Sequence, residues 1–83
     1  MANKTILIVV MDKRRASAIR AQEIMTDFGC IIKTRLGIHD GVMDKCSDHG
    51  IIILELVGPA GERRKLKKRL GALAGVKIKS VDI

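Results

Sequence analysis

The densest set of side chains able to do chemistry lies in "HDGVMDKCSDH", residues 39–49, which brings together His39, Asp40, Asp44, Cys46, Asp48 and His49. Imidazole and thiolate are the ligands that zinc, nickel and iron(II) accept most readily, so a transition metal is the cofactor this stretch suggests, with His39, Cys46 and His49 as its ligands. The spacing matches no standard metal motif, and Asp, Ser and Gly are also ordinary loop residues, so a plain polar loop is the other reading. Lys45 beside Cys46 invites a thiol switch. No Ser-His-Asp or Cys-His arrangement follows from the spacing, and an enzyme is not expected.

A second concentration is "ERRKLKKRL", with Arg63, Arg64, Lys65, Lys67, Lys68 and Arg69 arranged around a helix whose dry stripe is Leu66, Leu70 and Leu73. With a formal net charge of +7 for the chain, this run reads either as a solvated face whose long stems cover apolar surface or as a salt-sensitive contact for nucleic acid.

These groups need a scaffold. In 83 residues, 47% of them hydrophobic, there is room for one domain spanning 1–83, with an aliphatic core because Phe28 is its single aromatic residue. Two cysteines, Cys30 and Cys46, make no disulfide framework, no apolar run reaches membrane-spanning length, and the expected location is the cytoplasm.

"TILIVVM", residues 5–11, is β-branched and apolar throughout and reads as a strand dry on both faces. Ala21, Ile24, Met25 and Phe28 repeat at helical spacing, predicting a helix over 13–28, capped by Gly29 in a left-handed conformation. "CIIKTRLGIH" alternates, with Cys30, Ile32, Thr34, Leu36 and Ile38 on a dry side and Lys33 and Arg35 opposite. "GIIILELVGP" is a second strand apolar on both faces, interrupted by Glu55. Pro59 opens a helix that Gly75 closes, and "VKIKSVDI" alternates with Lys77 and Lys79 on one side.

The order β-α-β-β-α-β is that of an α+β, ferredoxin-like sandwich: a four-stranded antiparallel sheet with two helices on one face. Right-handed crossovers place the first and third strands in the centre. On that scheme Ile6, Ile8 and Val10 lie under the helices with Ile52, Leu54 and Leu56. Leu7, Val9, Ile51 and Ile53 then form an uncovered face that a homodimer or homotetramer would bury.

Among proteins of this fold, an RNA-recognition domain would need aromatic residues on the central strands, which are absent. The segments "VMDKRRA", "RLGIHD" and "LGALAGVKIKSV" resemble the ACT-like family of iron-only hydrogenase system regulators, almost from end to end. The resemblance implies an oligomeric, ACT-like regulatory or ligand-sensing subunit acting through a partner, with a ligand site near Asp12, Lys13 and Arg14 or in the 39–49 loop. ACT domains that bind amino acids usually carry Pro-Gly after the acidic residue, where this chain has Lys13 and Arg14. Two alternatives stand beside it: a nucleic-acid-binding protein using the basic helix, and an accessory protein in metallocluster or hydrogenase maturation.

Overall fold

The computed structural model describes residues 3–11, 15–39 and 50–83. Its elements are β1 (Thr5–Met11), α1 (Arg15–Asp27), a 3-10 turn (Gly29–Ile31), β2 (Ile32–His39), β3 (Gly50–Leu56), α2 (Ala60–Gly71) and β4 (Val76–Asp82). The strands form one antiparallel sheet in the order β2-β3-β1-β4. With both helices on one face, this is the ferredoxin-like arrangement expected from the order of elements.

The core lies between that face and the helices. Leu7, Val9 and Met11 from β1, and Leu54 and Leu56 from β3, pack with Ala21, Ile24 and Met25 of α1 and Leu66 and Leu70 of α2. Each fully buried leucine contributes about 1.5–3 kcal/mol by leaving water. Short polar ties join the connections as well. Ser17 at the start of α1 donates to the carbonyl oxygen of Ala74, in the turn between α2 and β4, at 2.7 Å, and the Val57 amide just after β3 donates to the carbonyl oxygen of Ile31 in the 3-10 turn at 2.8 Å.

Among the described residues, two glycines do conformational work. Gly58 has φ 88° at the turn from β3 into α2, where a Cβ would also meet Ile31 Cγ2 at 3.2 Å, and Gly75 has φ 74° in the turn into β4. Both values belong to the left-handed region that favours glycine. Gly29 is not among them: the chain enters the 3-10 turn there instead of adopting the left-handed cap expected from sequence.

The register corrects the expected facing of β1. Leu7 stands opposite Leu54 and Val9 opposite Ile52, so both lie under the helices, at 0% and 1% exposure. Ile6, Ile8 and Val10, expected there, are on the uncovered side. Thr5 shares the covered side with Leu7 and Val9 because its buried hydroxyl finds an acceptor there, donating to Asp82 Oδ1 at 2.7 Å. Phase in β3 was marked by a carboxylate, Glu55, and Ile51 and Ile53 lie on the open face as expected.

β2 is also rephased. A register irregularity between Ile32 and Thr34 leaves Ile32 opposite Leu56 but Thr34 opposite Glu55, Leu36 opposite Ile53 and Ile38 opposite Ile51. One extra residue in a strand sends the side chains that follow to the other face. From Thr34 onward the dry side of β2 therefore belongs to the open face, while Ile32 stays against the core and Cys30, expected on the same side as Ile32, is exposed in the 3-10 turn.

Candidate functional site: the open sheet face and the basic cleft

Three cross-strand rows make up the open face. In β2-β3-β1-β4 order they run Thr34, Glu55, Ile6, Val81; then Leu36, Ile53, Ile8, Lys79; then Ile38, Ile51, Val10, Lys77. The first three strands carry most of the aliphatic positions, and β4 carries the two lysines beside Val81. Leu36 is 53% exposed, Ile38 44% and Val10 38%. Apolar side chains that could have been covered by a helix stand instead in a contiguous field, the kind of patch that marks an interaction surface.

The polar end of this face is internally satisfied. Lys4 donates to Glu55 Oε2 at 2.5 Å and the Thr34 hydroxyl donates to Oε1 at 2.7 Å. The lysine and threonine hydrogen bonds hold the Glu55 carboxyl below its ordinary range, with the positive charges of Lys4 and Lys33 adding to the effect. Glu55 is therefore a fixed anion at one end of the patch rather than a group waiting for a partner.

On the opposite side of the sheet, α2 crosses β1 and β4. Its buried stripe begins with an arginine: Arg63 is 7% exposed, on the same face as Leu66 and Leu70, and its Nη1 donates to the Gly58 carbonyl at 3.0 Å. Beside it opens a cleft of about 200 Å3 lined by Thr5, Ala60, Arg63, Arg64, Lys67, Ser80 and Asp82. Lys67 Nζ donates to Ser80 Oγ at 2.8 Å. The α1 side of the same helix differs: Lys65 pairs with Glu62 at 3.6 Å, and Arg69 pairs with Asp27 at 3.7 Å and lies 5.4 Å over the Phe28 ring.

The residues singled out from sequence are distributed unevenly over this geometry. Ile51 and Ile53 are on the open face, whereas Leu7 and Val9 are core, and Ile6, Ile8, Val10, Leu36 and Ile38 take their place at the surface. Asp12, Lys13 and Arg14 lie outside the described residues, as do Cys46, His49 and the side chain of His39. No group of three or more His, Cys, Asp and Glu side chains suited to a metal occurs among the described residues. The cleft was missed in the sequence because Arg63 looked like one more solvated cation. The signal was its position, three residues before Leu66 and seven before Leu70, on the dry stripe itself.

Among the described residues, no helix is long and apolar enough to cross a membrane. No protein-family model matches the chain, and no curated protein does. Among solved structures, the chain is similar over its full length to an uncharacterized protein from Thermotoga maritima, with 25% identity, 99% of that chain covered and a TM-score of 0.84. It is also similar to a functionally unknown protein from Pediococcus pentosaceus, with 13% identity, 100% of this chain and 93% of that one covered, and a TM-score of 0.59. These likenesses extend over whole chains and agree with the ferredoxin-like fold read from the strand order.

Proposed function

We propose that this chain is a non-catalytic, ACT-like regulatory subunit of the kind found among iron-only hydrogenase system regulators, and that it works as a dimer joined through the open sheet face. The observation that carries the reading is the aliphatic field of Ile6, Ile8, Ile51, Ile53, Leu36 and Ile38, which no element among the described residues covers. The regulatory role rests on the resemblance of "VMDKRRA", "RLGIHD" and "LGALAGVKIKSV" to that family.

The face is self-complementary. A half-turn about an axis parallel to the central strands lays β4 of one copy over β2 of the other and keeps each row opposite itself. Ile8 then meets Ile53 and Val10 meets Ile51 across the interface. The methylene stems of Lys77 and Lys79 cover Ile38 and Leu36 while their ammonium groups reach water. From standard strand spacing and rise, a face of four strands measures about 19 by 23 Å, or about 400 Å2 per copy. Two such faces come close to the roughly 1,000 Å2 of a specific interface. At about 25 cal/mol per Å2 the apolar gain is of the same order as the association cost of about 4–15 kcal/mol. A single central charge therefore decides the outcome.

Sedimentation of the wild-type chain at micromolar concentration is expected to show a dimer, and Ile53→Lys a folded monomer. A wild-type monomer, or an Ile53→Lys variant that remains fully dimeric, would overturn this assignment of the interface.

A further inference from the structure

We infer that the cleft between α2 and the β1–β4 edge is a binding site for a phosphate group carried by a small ligand. Arg63, Arg64 and Lys67 line it from one helix, and among the described residues Asp82 is the single carboxylate on its wall. Arg64 and Lys67 together supply two positive charges, which match a phosphate monoester carrying about −1.5 to −2 at neutral pH. Asp82 is already engaged, since its Oδ1 accepts the Thr5 hydroxyl at 2.7 Å.

The contrast between the two sides of α2 distinguishes the cleft from a merely solvated basic helix. Toward α1, Lys65 and Arg69 have carboxylate partners. Toward β4, neither Arg64 nor Lys67 lies within ion-pair distance of a carboxylate among the described residues. Lys67 instead donates to a neutral hydroxyl, that of Ser80, which adds no negative charge to the cleft. Ala60, which opens the twelve-residue α2, also lines the cleft, and the N-cap, Pro59, supplies no side-chain hydrogen bond. The positive end of the helix adds to the same field. Arg63, buried and oriented by the Gly58 carbonyl, forms a preorganised wall. The planar guanidinium fork of Arg64, beside that wall, suits phosphate oxygens better than a point charge does.

The cleft is on the helix-covered side of the sheet, away from the open face, so this inference and the dimer can fail separately. The test is an amide NMR titration of the full chain with inorganic phosphate against sodium chloride at matched ionic strength, with a short single-stranded oligonucleotide as a second arm. Saturable shifts are expected in the first turns of α2 and at Ser80 to Asp82, with affinity falling about tenfold in Arg64→Gln and in Lys67→Gln. Lys65→Gln, on the α1 side, should leave the affinity unchanged. Inorganic phosphate should displace any oligonucleotide bound at these residues. Shifts that do not saturate, an equal loss in Lys65→Gln, or oligonucleotide binding that phosphate fails to compete away would overturn the site and leave a diffuse basic surface.

Discussion

The two faces of one sheet are built from the same residue types and end in different circumstances. Along β1, Leu7 and Val9 are sealed beneath helices, while Ile8 between them and Val10 beyond stand on the open side. Composition does not separate the two sets. The environment is set by which residues α1 and α2 can reach, and so by pairing register. Half of this protein's hydrophobic logic is spent on folding the chain. The other half is available for joining it to something else.

The same charge placed at adjacent positions of β1 should have opposite consequences on the two faces. Leu7→Lys buries an unpaired ammonium in the core and should cost more than about 4 kcal/mol, enough to unfold a domain of this size. Ile8→Lys should keep a native circular dichroism spectrum and lose only the dimer. If both variants unfold, or both remain folded, the two faces are not distinct in the sense described.

A milder change tests the polar tie on the covered side. Thr5→Val keeps the shape of the side chain and removes its hydrogen bond to Asp82. Urea denaturation should show a loss of about 0.5–1.5 kcal/mol, with the oligomeric state unchanged.

The smallest effect concerns the fixed anion at the end of the open face. The folded-state pKa of Glu55 lies below its ordinary 4.5 because of the hydrogen bonds from Lys4 and Thr34. The unfolded chain then binds more protons in the interval between the two values. The contribution of Glu55 is present above about pH 4.5 and is lost as pH falls through the lower, folded value. Lys4→Met should flatten that acid limb in a series of denaturation curves. An unchanged slope would mean that the ion pair contributes nothing measurable, as exposed pairs often do.

The sequence revealed the architecture better than the phase of its strands. Element order and the central position of β1 and β3 followed from two runs apolar on both sides and two strands with lysine or arginine on one side. In β3 a carboxylate fixed the facing correctly. In β1 the one polar residue is a threonine, a side chain that can be buried once its hydroxyl finds an acceptor, so it marks neither face. In β2 the irregularity after Ile32 carries no distinctive residue, only Lys33 in an otherwise regular alternation. The lysines of β4 were the better guide: residues paired with Lys77 and Lys79 share their face, which places Val10 and Ile8 outward. The cleft was legible only as an arginine out of place on an apolar stripe. The proposed ligands in the 39–49 loop and at Asp12, Lys13 and Arg14 lie beyond what the described residues address.

The pairing of β1 with β4 has a kinetic consequence. Thr5 and Asp82, whose side chains are joined by a hydrogen bond, are 77 positions apart in the chain. Closing so long a loop is entropically slow, so this ladder should be among the last to form. Until it does, the outer edge of "TILIVVM" presents unpaired backbone groups on a β-branched strand of low charge, the profile of an aggregation-prone segment. Docking of β4 retires that edge and replaces it with one bearing Lys77 and Lys79 at alternate positions, charges that discourage further strand addition. The last strand to join the sheet is therefore also its gatekeeper against uncontrolled growth.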